Sequence, residues 1–172
     1  MDGMRRHGGW DDALAGVVAR RGELVGYASL LVGERWAAQD LVREAIIRTF
    51  SRPRAWHDAE VALVAVRGQI MARFVRTRRG PLIARAASRL RGVDGQPPAA
   101  TATEGPASAI TGALWMLDRR QRACVVLRDV DRMATADIAR TVGMDAAAVA
   151  RALDRADTVL AAELSRDLRG AP

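Results

Sequence analysis

Lysine is absent from this sequence of 172 residues and cysteine occurs once, so all 27 basic side chains are arginines and no disulfide framework or cysteine-rich metal site can form. The lone thiol, Cys124, lies in the run Ala123-Cys124-Val125-Val126-Leu127, where a free cysteine behaves as a small buried hydrophobe. His7 and His57 are the only histidines; one stands in an expected tail and one in an expected loop, without metal-ligand spacing. Glycine-rich phosphate loops and dinucleotide fingerprints are missing, Gly8-Gly9 being too little for either. An enzyme, a metal protein and a cofactor carrier are therefore not expected, and the cofactor expectation is none. Aromatic residues make up 4% of the chain, and strand-favouring residues never cluster into alternating runs bounded by turns. That leaves an all-α fold. Long hydrophobic runs are lacking too: Tyr27 to Val32 is far shorter than the ~20 residues of a bilayer span, and Met1 to Trp10 lacks the apolar segment of a secretory signal. A soluble cytoplasmic protein, with no membrane partner, is expected.

Positive charge is what the chain has in excess. The net charge is +7 and the pI about 11.2, which point to a polyanionic partner, because clustered arginines release counterions when they meet phosphates. An anionic membrane surface is the competing polyanion. Between Glu60 and Asp94 there is no acidic residue and there are eight arginines, so the charge is local rather than a uniform coat.

Helical periodicity runs through most of the chain. Leu14, Val17, Val18, Val25, Ala28 and Val32 make one apolar stripe from Asp12 to a stop at Gly33. Leu41, Val42, Ala45, Ile46 and Thr49 make a second, with Asp40, Arg43, Glu44 and Arg48 outside it. The stretch from Ser51 to Asp58 holds Pro53 and ends in an N-cap, Asp58, so it reads as a loop before a third helix from Ala59 to about Arg79, terminated by Gly80-Pro81. Gly92 to Ala107 contains Pro97-Pro98 and Pro106 and cannot bury enough surface to fold alone. It reads as a linker whose span, as a flexible coil, is roughly 20 to 25 Å. Helices over Ile110 to Leu117, Arg119 to Val130, Ala134 to Val142 and Asp145 to about Leu164 complete a second domain.

The predicted organisation is a tail over 1–11, a helical domain over 12–91, a linker over 92–107, a second helical domain over 108–165 and a tail over 166–172. Within the second domain, Ala139 stands four residues before Gly143 and Val149 six after it. A helix-turn-helix needs this pattern: the small Ala lets two helices approach, Gly permits the turn, and apolar residues hold the crossing angle. The second helix of that pair offers only Arg151 and Arg155 as donors, opposed by Asp154 and Asp157.

Taken in order, Leu30-Leu31-Val32-Gly33, Asp40-Leu41-Val42-Arg43-Glu44, the arginines from Arg67 to Arg79, the linker, Arg120-Gln121-Arg122 and Asp137-Ile138-Ala139 resemble the extracytoplasmic-function (ECF) sigma factors of bacterial RNA polymerase, the actinobacterial SigE-like branch above all. The resemblance covers roughly Asp12 to Leu164. It implies two small helical domains, a region 2 bundle and a region 4 helix-turn-helix. It also implies core RNA polymerase as partner, through the β′ clamp helices and the β flap, together with promoter DNA and an anti-sigma factor. Polymerase contact is then carried over to Asp40, Leu41, Arg43, Glu44 and Arg48. Contact with the minus-ten element falls to Trp56, Arg67, Arg73, Arg76, Arg78 and Arg79, with Trp56 as a stacking face for an unpaired base. Upstream DNA falls to Arg119, Arg120, Arg122, Ala147, Arg151 and Arg155.

The sequence departs from the family pattern in three places. Ala72 stands where an Asn is usual, with Thr77 in place of an aromatic residue nearby. Ala148-Val149-Ala150-Arg151-Ala152 replaces Thr-Val-Lys-Ser-Arg, and Ala134 replaces a capping Ser, an exchange worth about 1 kcal/mol of helix stability. A sigma-like adaptor that holds polymerase or another regulator without reading promoters is the alternative. A helix-turn-helix repressor is a third reading, and it leaves the first domain's motifs without a role.

Overall fold

The computed structural model describes the backbone of residues 3–51, 58–76 and 106–170, and the side chains of 9–51, 58–76 and 110–166. Among the described residues every regular element is an α-helix, as the composition requires. The chain divides into two compact units, Met1–Phe74 and Val75–Pro172. Expected features over 52–57 and 77–105, including the loop with Trp56, Arg78 and Arg79, the Gly80-Pro81 stop and most of the linker, lie outside the described residues.

The first unit holds α1 (Gly3–Ala19), α2 (Arg21–Val32), α3 (Arg35–Phe50) and α4 (Ala59–Arg76), the last running two residues past the unit's limit. Two expectations are corrected at its start. The stretch expected to be a tail is helical from Gly3, and the single helix expected over Asp12 to Val32 is broken at Arg20, whose φ of −99° and ψ of 19° leave the helical region. Gly22 weakens helix propensity just past that point, and the Arg20 guanidinium is anchored outside the helix by Glu23 and Glu60. The break also changes which residues face inward. Ala13 and Val17 are buried in α1 and Leu24, Tyr27, Ala28 and Leu31 in α2, while Val18, placed in the sequence stripe, is 54% exposed.

Gly33 ends α2 at φ 75°, a left-handed conformation open to glycine, and α3 folds back against α2. The Asp58 carboxylate accepts from the Glu60 amide at 3.0 Å, giving α4 the cap read from sequence. Three contacts seat α4. A Cβ built on Gly16 would lie 2.6 Å from that of Ala59, so α1 and α4 touch closely there. The Arg67 guanidinium lies 5.4 Å from the centre of the Tyr27 ring on α2, and Arg73 pairs with Glu44 on α3.

The second unit holds α5 (Pro106–Met116), α6 (Arg119–Asp129), α7 (Thr135–Val142) and α8 (Ala146–Gly170). Its central element is α6, in which Arg122, Ala123, Cys124, Val125, Val126 and Leu127 are consecutively buried. Burial raises the pKa of the Cys124 thiol and keeps it unreactive. A capping box starts α6: the Asp118 carboxylate accepts from the amides of Arg120 and Gln121, and the Gln121 side chain accepts from the Asp118 amide. α6, α5 and α7 all pack on α8.

Candidate nucleic-acid interface

α7 and α8 form the helix-turn-helix. Gly143 takes the left-handed conformation at φ 68° and ψ 41°, and the Met144 amide donates to the Ala139 carbonyl at 3.0 Å, a Schellman stop for α7. Asp145 then caps α8 through the Ala148 amide at 2.7 Å. Ile138, Ala139, Val142, Val149, Ala152 and Leu153 are buried, so the small Ala and the flanking apolar residues do the packing that their spacing suggested. Ala134 precedes α7 in extended backbone and makes no side-chain cap.

The outer face of α8 presents Ala147, Ala150, Arg151, Asp154 and Arg155 to solvent. Helices of this kind enter the major groove with their N-terminal residues against base edges. Among the described residues, Arg151 and Arg155 have no acidic partner, whereas Arg140 is paired with Asp137 and Arg128 with Asp129 and Asp157. Arg128 donates to both Asp157 oxygens, at 2.8 and 2.7 Å, and this fork ties α6 to α8. The pair lowers the Asp157 pKa and raises that of Arg128. Asp157, read from sequence as opposing the DNA-facing arginines, is thus spent on an internal pair, and Asp154 is the carboxylate left among them.

At the start of α6, Arg120 is exposed and Arg119 half-buried, its pKa lowered by burial. Arg122 is a correction. Expected on the DNA face, it is only 8% exposed, donates to the carbonyls of Leu114 at 2.9 Å and Leu117 at 3.0 Å, and lies 4.1 Å from the centre of the Trp115 ring. The last carbonyls of α5 and the turn after it need donors, and a five-donor guanidinium supplies them from one side chain. Burial lowers its pKa to about 10, which leaves it charged at neutral pH. Its guanidinium is engaged inside the second unit and not displayed on the surface. Sequence reasoning missed a different cation: Arg132, exposed in the turn between α6 and α7, sits at φ 55° in the left-handed region. The signal was the short Asp131-Arg132-Met133 connection, which forces a tight turn just before a helix that crosses the DNA backbone in this motif.

In the first unit, α3 brings its candidate residues together. Asp40 and Arg43 are exposed and paired at 3.0 Å, Arg48 is exposed, Glu44 is half-exposed and Leu41 half-buried. The same face carries Trp36, 39% exposed, and Ile47, 61% exposed, neither of them singled out from sequence. Their spacing from Asp40 and Arg43, at i, i+4, i+7 and i+11, places all four on one side of the helix. The arginines of α4 do not share a face. Arg67 and Arg73 flank the buried side, held by Tyr27 and Glu44, and Arg76 is exposed farther out. The outermost strip of α4 is uncharged: Val61 is 57% and Val64 69% exposed, and Gly68 has open space beside it.

The second unit is thus a helix-turn-helix module of the DNA-binding class. Residues 108–156 match the family model described as Sigma-70, region 4, so this stretch is similar to that region. No curated protein matches the chain at a significant level. No helix among the described residues is long and apolar enough to cross a membrane.

Proposed function

We propose that the chain is a sigma factor of the ECF type, which binds core RNA polymerase through its first unit and directs it to promoters. The observation that carries this reading is the sigma-70 region 4 match over residues 108–156, on a helix-turn-helix whose outward face offers Arg151 and Arg155. The α3 face of Trp36, Asp40, Arg43 and Ile47, with Glu44 and Arg48 beside it, suits a partner helix: charged side chains at the middle and an exposed apolar side chain at each end. The β′ clamp helices are the assigned partner of that face and the β flap that of the second unit. Arg67, Arg73 and Arg76, with Trp56, Arg78 and Arg79, are assigned to the minus-ten element. Arg119, Arg120, Arg132, Ala147, Arg151 and Arg155 are assigned to upstream DNA. An anti-sigma factor that masks these faces is the expected regulator, and the cytoplasm, where polymerase works, the expected location.

The test is run-off transcription with purified core polymerase on a library of upstream regions, with and without the protein. New start sites that depend on it establish the activity, and their aligned upstream sequences give its specificity. A second reading, the polymerase-bound adaptor, is favoured by the sparse charge of α8, where Asp154 offsets one of two free arginines. Core binding without new start sites would select the adaptor, and failure to bind core would eliminate both.

A further inference from the structure

Arg73 on α4 and Glu44 on α3 form an ion pair in which each side chain is 42% exposed. The two residues belong to different tasks in the function proposed above, on which this inference rests: Glu44 to the polymerase-facing helix, Arg73 to the DNA-facing one. A guanidinium saturated by a carboxylate is a poor phosphate ligand, because the phosphate must first displace the carboxylate. The neighbouring cation Arg67 is likewise engaged, over the Tyr27 ring. Asp40 and Arg43, one turn away, pair within α3 and so make no link between the helices.

We propose that Glu44 is a positioning residue that withholds Arg73 from DNA until polymerase occupies α3. A basic group of the polymerase that takes the Glu44 carboxylate releases Arg73, which then turns to a phosphate of the opened strand. The half-exposed setting suits this exchange. Ion pairs at such depth are weak enough to swap partners without disturbing the core, whereas a deeply buried pair would not let go. The exchange is confined to the surface: Val42 and Ala45 of α3 and Ile70 and Phe74 of α4 stay buried while the two side chains change partners.

Binding of the full chain to a labelled single-stranded DNA of mixed sequence, measured by fluorescence anisotropy at low salt without polymerase, tests the withholding step. Glu44→Gln should bind about two- to fivefold more tightly than wild type, the range a partly exposed ion pair is worth. In an Arg73→Gln background the same change should give no gain. Asp12→Asn removes the same charge from an exposed site in the same unit but leaves Arg73 held, and should bind as wild type does. Equal gains from Glu44→Gln with and without Arg73, a gain from Asp12→Asn equal to that from Glu44→Gln, or no gain at all, overturns the proposal. Titration with purified core polymerase tests the release step: Glu44→Gln should weaken core binding while Arg73→Gln, which leaves the Glu44 carboxylate open to the polymerase, should tighten it about two- to fivefold, and unaltered core affinity of either variant overturns the exchange. Failure of the sigma-factor reading is seen separately, in wild-type run-off transcription, and does not alter the outcome of the DNA-binding cycle.

Discussion

The Arg122 guanidinium lies 4.1 Å from the centre of the Trp115 ring while it donates to the Leu114 and Leu117 carbonyls, so one side chain closes the end of α5 and shields its own charge against an aromatic face. Arg122→Met keeps the apolar stem but removes the guanidinium donors, leaving the Leu117 carbonyl without this bond and the Leu114 carbonyl with only the Leu117 amide at 3.3 Å. We expect a loss of about 2–3 kcal/mol, read as a lower urea midpoint of the second unit's transition. Trp115→Ala should remove about 1 kcal/mol, chiefly the stacking. The pH dependence has a definite sign. Burial lowers Arg122 from the usual guanidinium range to about 10, so the folded state gives up the proton first, and the stability contributed by this group rises only above about pH 10. Between pH 5 and 9 Arg122 adds no slope, and a stability change there that disappears in Arg122→Met would contradict this.

The Arg128–Asp157 fork has the same sign of pH dependence but acts in the acid range. Arg128 lowers the Asp157 pKa, so the pair contributes fully above the unfolded carboxylate value near 4 and is lost as pH falls through the lower folded value. Asp157→Asn should destabilise by about 0.5–1 kcal/mol at pH 7, given how exposed the pair is, and the difference from wild type should shrink below pH 4. Paired thermal melts at pH 7 and pH 3 measure both.

Two helical glycines should respond oppositely to the same substitution. Gly16→Ala puts a methyl 2.6 Å from the Ala59 Cβ, an overpacking of about 1–3 kcal/mol against the ~1 kcal/mol that alanine gains in a helix, for a net loss of about 1 kcal/mol. Gly26→Ala meets nothing within 4 Å and should stabilise by about 0.5–1 kcal/mol. Chemical denaturation of the two variants side by side decides the signs.

On duplex DNA carrying an upstream element, the salt dependence of binding counts phosphate contacts. Replacing Arg120 or Arg132 by Gln should each reduce the slope of log K against log salt by about 0.9, and Arg151→Ala should also flatten sequence preference. A slope unchanged in Arg120→Gln and Arg132→Gln alike would remove both from the interface.

Much of this was legible in the sequence, for physical reasons that differ by residue. The Ala139-Gly143-Val149 spacing was readable because a tight helical turn leaves few alternatives, and Asp58 and Asp145 were readable as caps because capping is local chemistry. Arg122 was not. Its neighbours Arg119 and Arg120 look the same in a one-dimensional charge count, and only the return of α5 on α6 shows that carbonyls wait for it. Val18 was misplaced because the break at Arg20 is set partly by Glu60, 40 residues away, and a periodicity read through the break carries the wrong phase. Trp36 and Ile47 were passed over because an apolar residue on a charged face looks like noise until its exposure is measured.

α8 runs 25 residues, roughly 37 Å at 1.5 Å per residue, yet among the described side chains, which reach Arg166, the last buried one is Ala156. One continuous hydrogen-bonded rod therefore spans two regimes. Amides from Val149 to Ala156 are protected by the packing of α5, α6 and α7 and should exchange with deuterium only when the unit unfolds. Those from Ala161 to Arg166 depend on helix propensity and the Glu163–Arg166 pair, and a bare helix of that length is marginal in water. They should exchange orders of magnitude faster by fraying from the C-terminal end. The turns that carry Arg151 and Arg155 are thus anchored in the rigid half of the helix, and truncation behind Arg166 should leave their protection untouched.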